Sequence, residues 1–138
     1  MIGYTAGVFD MFHMGHLHLL QQARARCDYL VVGVTTDELA LDTKGRLPVV
    51  PLLERLAIVQ SMRCVDHVLP QLSMDKVAAW RTFAFDVVFV GDNLAHSPQW
   101  QVIETELAEV GVRLEYLPAT YTRPGQLLER GLADLVAE

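Results

Sequence analysis

The chain has 138 residues, 51% of them apolar and 20% charged, with 11 Lys and Arg against 17 Asp and Glu for a net charge of −6. That length suits a single domain over residues 1–138, able to bury a core without disulfides or a structural metal, and the composition argues against disorder. The acidic balance argues against a nucleic-acid groove or a polybasic membrane surface.

Cys27 and Cys64 lack the spacing of a redox or metal motif and read as free buried thiols. No charged segment followed by an apolar stretch opens the chain, and no run approaches the ~18 apolar residues of a membrane span. A soluble cytoplasmic protein is the expectation.

Taken in order, the chain alternates short apolar runs with helical stripes. A strand is expected over Tyr4–Phe9, then a helix carrying Leu17, Leu20, Ala23 and Cys27. The continuously apolar Tyr29–Val34 reads as a strand covered on both faces. Leu41–Pro48 reads as a Gly-containing loop, and Pro51 is well placed to start a helix bearing Leu52, Leu56 and Val59. A strand at Asp66–Leu69 precedes a helix over Met74–Arg81 with Ser73 as its N-cap. A strand at Asp86–Val90 is followed by a helix after Pro98 that carries Trp100, Ile103, Leu107 and Val110 and stops at Gly111. A strand at Arg113–Leu117 and a stripe of Leu127, Leu128, Leu132 and Leu135 close the series. Such alternation predicts a single-domain, Rossmann-like, doubly wound α/β fold: a five-stranded parallel sheet with helices on both faces. Ligands of such sheets bind beyond the carboxyl ends of the strands, at the switch point of the strand order.

The strongest chemical signal lies at the first such end, in Gly7-Val8-Phe9-Asp10-Met11-Phe12-His13-Met14-Gly15-His16. Gly7 permits a tight path at the strand end. His13 and His16, three apart at a helix start, share one face and can point at one ligand. Gly15 removes a side chain where helix N–H groups are unpaired, so an anion can approach the positive end of the helix dipole. No third ligand stands near in sequence, and His18 points about 200° away from His16, so a metal site is the weaker reading. His67 and His96 read as ordinary surface residues.

These residues resemble the H-x-G-H motif of the cytidylyltransferase family of nucleotidyltransferases, and look nearest to its compact glycerol-3-phosphate cytidylyltransferases. The resemblance covers most of the chain. It extends through Gly7-Val8-Phe9-Asp10, Asp28–Val32 with Thr35-Thr36-Asp37-Glu38, Glu54-Arg55, Arg63-Cys64-Val65-Asp66 and Gly91-Asp92-Asn93. What it implies is transfer of a nucleotidyl group, most directly CMP from CTP to a small phosphorylated alcohol, with release of pyrophosphate. His13 and His16 would donate hydrogen bonds to the transferring phosphoryl oxygens. Lys44 or Arg46 would bridge phosphates, and Arg55 would hold the acceptor phosphate or the nucleotide. Gly7, Val8, Phe9, Asp10, Gly15, Gly91 and Asp92 would line the nucleotide site. Arg63 would lie at a homodimer contact and contribute to the site from there. Mg²⁺ would come with the triphosphate.

Bland readings stand beside these. Lys44-Gly45-Arg46 suits a solvated turn, Asp10 suits a helix cap, Arg55 suits a pair with a neighbouring acid, and Arg63 suits a purely structural contact.

The chain departs from the family pattern after its last strand, where R-T-x-G-I-S-S/T-T is expected. Ala119 stands in place of the basic residue, and Pro124, Gly125 and Gln126 in place of the hydroxyl run. Thr120 alone matches, and Arg123 would restore the charge. Thr120 and Arg123 are thus the expected phosphate ligands of this segment. Two alternatives remain open: an adenylyltransferase with a cofactor-like acceptor, and a non-catalytic, dimeric nucleotide-binding module.

Overall fold

The computed structural model describes residues 1–95 and 97–118. The elements run β1 (Ile2–Gly7), α1 (Met14–Ala25), β2 (Tyr29–Thr35), α2 (Asp37–Lys44), α3 (Leu52–Gln60), β3 (His67–Gln71), α4 (Lys76–Thr82), β4 (Val87–Gly91), a 3-10 turn at Asp92–Leu94, α5 (Pro98–Glu109) and β5 (Arg113–Leu117). All five strands are parallel, in the order β3-β2-β1-β4-β5. The chain winds outward from β1 through β2 to β3, then crosses back to place β4 on the other side of β1. The switch point therefore lies between β1 and β4.

Period-two alternation sends β2 side chains to both faces. Leu30, Val32 and Val34 join Phe9, Leu20, Ala23, Val59, Val87 and Phe89 in a core under α1 and α3. Val31 joins Tyr4, Phe85, Val88, Val90, Ile103 and Leu107 in a second core under α4 and α5. Each fully buried Val, Leu or Phe contributes about 1.5–3 kcal/mol relative to an exposed one, so both faces hold the sheet shut. The β1–β2 ladder runs over six residue pairs, Ile2–Tyr29 to Gly7–Val34, whereas β1 and β4 pair only at Gly3–Val87 and Tyr4–Val88. Above those pairs the buried Thr5 hydroxyl reaches across to Phe89 O at 3.0 Å. The two central strands thus part toward their carboxyl ends and open a crevice there.

Several boundaries differ from the sequence expectation: β1 runs Ile2–Gly7 rather than Tyr4–Phe9, β3 His67–Gln71 rather than Asp66–Leu69, and β4 Val87–Gly91 rather than Asp86–Val90. The Leu41–Pro48 loop begins as the last turn of α2, a helix capped by the Thr36 hydroxyl, which accepts from Leu39 N–H at 3.2 Å, and closed by Gly45 at φ 77°. Its one buried residue is Ala40, so it carries no apolar stripe for a periodicity search to find. The N-cap of α4 is Asp75, whose carboxylate accepts from Val77 and Ala78 N–H at 3.0 and 3.3 Å, rather than Ser73. Pro51 occupies the N-cap of α3, just before its first turn. The closing leucine stripe lies outside the described residues. Cys27 and Cys64 are free thiols, the first buried and the second half-buried, and burial pushes both thiols up. Among the described residues no helix is long and apolar enough to cross a membrane.

Candidate active site

The β1–α1 turn leaves the sheet at the switch point, and its backbone is strained. Phe9 and Met11 both adopt positive φ, 52° and 53°, a region that costs a non-glycine residue about 1–2 kcal/mol. The tight path expected at Gly7 therefore falls on Phe9 and Met11 instead. Gly7 serves by lacking a side chain, because a Cβ there would press to 3.2 Å against the Phe9 ring. That ring is buried in the core beneath α1, with its centroid 5.4 Å from that of His16 in an edge-to-face contact, so it supports a histidine rather than offering its side chain to a ligand. Phe12 stands the same 5.4 Å from His16 on another side.

His13 is the N-cap of α1 and His16 its third residue, and together they form a reciprocal capping box. Gly15 N–H donates to Nδ1 of His13 at 3.1 Å, while the backbone N–H of His13 donates to Nδ1 of His16 at 3.3 Å. A capping box ordinarily pairs Ser or Thr with Glu or Gln. Here two imidazoles do the same work, stacked at 3.9 Å with an interplanar angle of 25°. Because each Nδ1 accepts a hydrogen bond, each neutral ring carries its proton on Nε2. The Gly15 N–H, expected to be available to an anion, is instead taken by the cap. In that tautomer the Nε2–H of each ring is a hydrogen-bond donor.

Asp10 does not cap α1. Its Oδ2 and Oδ1 accept from the N–H groups of Val49 and Val50 at 2.8 and 2.9 Å, tying the α2–α3 connection to the turn. Arg55 also differs from expectation. It is 1% exposed, and its guanidinium donates to the Val50, Val8 and Thr35 carbonyls at 2.8, 2.8 and 2.7 Å and to Asp37 Oδ1 at 2.5 Å. Four of its five N–H groups are committed within the protein, so it is not placed to grip a substrate phosphate. The Val8 carbonyl is likewise taken by Arg55. Asp37, absent from the expected site, is legible only as the acid that follows the Thr36 cap.

Lys44 ends α2 and is exposed, as is Arg46 beyond Gly45. Gly91 and Asp92 lie at the carboxyl end of β4, across the crevice from the β1 turn, with Gly91 half-buried and Asp92 exposed as it opens the 3-10 turn. Arg63 is exposed in the connection from α3 to β3, which lies at the amino end of the sheet. Within one chain it therefore stands at the edge opposite the histidines and does not belong to their site. Thr120 and Arg123 lie outside the described residues.

No group of three or more His, Cys, Asp or Glu side chains suited to a metal occurs among the described residues. Asp10, the acid nearest the histidines in sequence, spends both oxygens on backbone N–H groups.

Known proteins bear on this geometry. An ethanolamine-phosphate cytidylyltransferase of Arabidopsis thaliana is 50% identical over 66 residues, 48% of this chain and 15% of that protein. An FAD synthase of Pyrococcus abyssi is 29% identical over 121 residues, 85% of this chain and 78% of that protein. The chain covers between 15% and 43% of the length of several curated relatives that it matches. In fold, the chain is similar to a lipopolysaccharide core biosynthesis protein of Thermoplasma volcanium, with a TM-score of 0.73 and 23% identity over 86% of this chain and 94% of that one. The family model described as cytidylyltransferase-like matches residues 4–125. The parallel sheet, the histidine pair at its switch point and that match together make this chain a member of the cytidylyltransferase-like family of nucleotidyltransferases.

Proposed function

We propose that this chain transfers CMP from CTP to a small phosphorylated alcohol, with glycerol-3-phosphate or a similar polyol or amino-alcohol phosphate as acceptor. A phosphate oxygen of the acceptor attacks the α-phosphorus, the bond to the bridging oxygen of the β-phosphate breaks, and pyrophosphate departs with that oxygen. No covalent enzyme intermediate is needed, so catalysis rests on in-line positioning and on donors aimed at the charged phosphoryl oxygens. The observation that carries this reading is the reciprocal cap of His13 and His16, which fixes two Nε2–H donors at the mouth of the β1–β4 crevice. A preorganised donor of this kind is worth about 10²–10³ in rate.

The remaining roles follow from position. Lys44 at the end of α2, or Arg46 just beyond it, meets the outer phosphates, with Mg²⁺ entering as part of the nucleotide. Gly91 and Asp92 border the crevice from β4. Thr120 and Arg123 complete the phosphate site in place of the family's basic and hydroxyl residues. Arg63, at the far edge of its own sheet, reaches a site only across a contact between two copies, so the active form is a homodimer.

The test is a thermal-shift screen of the four nucleoside triphosphates with Mg²⁺, followed by pyrophosphate release with glycerol-3-phosphate. A ligand at 100 times its Kd stabilises by about 2.7 kcal/mol, a shift that is easily read. Stabilisation by CTP with acceptor-dependent pyrophosphate release is the expected result. A shift with ATP alone would move the chain to adenylyl transfer, the activity class suggested by its likeness to FAD synthase. Binding without release for any acceptor would make it a nucleotide-binding module. Sedimentation as a monomer at micromolar concentration would remove Arg63 from the site.

A further inference from the structure

The α2–α3 connection has little to hold it except two side chains that belong to other parts of the fold. Among the described residues, no backbone–backbone hydrogen bond involves residues 46–50. Its polar anchors are Asp10, which receives the Val49 and Val50 N–H groups, and Arg55, which donates to the Val50 carbonyl. Arg55 joins that carbonyl to Val8 at the end of β1, Thr35 at the end of β2 and Asp37 at the start of α2. One buried guanidinium thus gathers four segments at the carboxyl edge of the sheet. Lys44, the last residue of α2, and Arg46 on the connection are both exposed, and neither is in an ion pair among the described residues. Unpaired cations on a tethered segment suit an anionic ligand, whereas Arg55, with its donors spent, does not.

We propose that Asp10, Asp37 and Arg55 are positioning residues. They form a clasp that sets where the Lys44–Arg46 cations stand relative to the His13–His16 pair, and none of the three touches the nucleotide. This rests on the functional reading above for the identity of the anion. The chemistry is sensitive to placement, since a shift of about 1 Å in a positioning element can cost 10²-fold in rate. Lysine cannot replace Arg55 in this role, because one ammonium cannot span four acceptors in a fixed planar fork.

Two measurements on the full chain test the clasp. The first is amide hydrogen exchange at Val49 and Val50, which are protected in the native protein and lose at least tenfold of that protection in Asp10→Ala. The second is a double-mutant cycle between Asp37→Asn and the paired change Lys44→Ala with Arg46→Ala, read on KM for the triphosphate and kcat for pyrophosphate release. Asp37→Asn is expected to raise KM fivefold or more with a smaller fall in kcat. In the background lacking both cations the same change should alter KM less than twofold. Should Asp37→Asn fail to fold, Asp10→Asn takes its place in the cycle.

Losses that multiply in the cycle would mean direct contact with substrate and overturn the proposal, as would unprotected Val49 and Val50 amides in the native protein. If the native protein releases no pyrophosphate with any triphosphate, the functional reading fails on its own. The cycle is then read on affinity for inorganic tripolyphosphate, where non-additive losses still support the clasp and additive losses or absent binding overturn it.

Discussion

Lys76, the first residue of α4, holds its ammonium 5.6 Å from the ring centroid of Trp100 in the first turn of α5, beneath the contact between the two helices. That ammonium donates to Gln71 Oε1 at 2.8 Å, an acceptor shared with the Tyr4 hydroxyl at 3.0 Å. Burial of the ammonium lowers its pKa to about 8 from 10.5. The cost of the buried charge is fully present below pH 8. It disappears as pH rises from 8 to 10.5, because over that range the unfolded chain binds the proton that the folded chain has released.

Lys76 should therefore add stability between pH 8 and 10.5, on the order of 3 kcal/mol, against the buried Cys27 and Cys64 thiols, whose raised pKa works in the opposite sense above pH 9. Lys76→Met should flatten that climb. It should also raise stability near pH 7 by about 1–2 kcal/mol, after loss of a cation–π contact of similar size to the remainder. Gln71 keeps the Tyr4 hydroxyl, so the substitution orphans no acceptor. Urea unfolding of both proteins at pH 7 and pH 10 reads the effect, and equal pH slopes in the two would refute it.

Gly33 on β2 faces the Tyr4 side chain on β1 so closely that an added Cβ would overlap the phenol hydroxyl. Tyr4 cannot easily give way. It is 1% exposed, its ring stacks on Phe85 at 4.6 Å, and its hydroxyl is tied to Gln71. Gly33→Ala should therefore destabilise by about 1–3 kcal/mol, the usual range for overpacking a filled core. Gly33→Ala with Tyr4→Phe should recover part of the loss by removing the overlapping atom. The cycle is measured by urea midpoints, and a single mutant as stable as the native protein would show that β1 and β2 shift to make room.

Gly45 offers a contrasting case. It ends α2 at φ 77°, and nothing lies within 4 Å of where its Cβ would be. Gly45→Ala therefore probes backbone conformation alone and should cost about 1 kcal/mol. Because the residue lies between Lys44 and Arg46, the same variant should raise KM for the triphosphate more than it lowers kcat. A KM unchanged despite lost stability would separate this corner from the nucleotide site.

The strands were legible because they are covered on both faces: Tyr29–Val34 and Val87–Val90 are continuous apolar runs, and both lie in the sheet as expected. The histidine pair was legible as a motif, but its geometry was not, since N-caps are ordinarily Ser, Thr, Asp or Asn and nothing in the letters says that two rings cap one another. The helix α2 escaped because it buries one residue. Asp10 and Arg55 were read as ligand contacts because sequence reports that a charge is present and not which way it turns. Their partners lie 39 to 47 residues away for Val49, Val50 and Val8, a distance over which no local pattern carries information.

The mutual cap of His13 and His16 means that alanine is the wrong probe of either ring by itself. His13→Ala removes the proposed phosphate donor and a helix cap together, and lost caps cost about 0.5–2 kcal/mol. Asparagine separates the two. Its side-chain oxygen can accept from the same helix N–H groups, while nothing replaces the Nε2–H. His13→Asn should hold native stability within about 0.5 kcal/mol and lower pyrophosphate release by about 10²–10³. His16→Gln is the matching change, because glutamine at the third helical position can reach back to the His13 backbone N–H as in an ordinary capping box. It should likewise stay folded and lose turnover. The pair is measured by urea unfolding alongside pyrophosphate release at saturating CTP and acceptor. Native turnover in His13→Asn would leave the histidines as a helix cap and nothing more, since the cap is the one function that asparagine preserves.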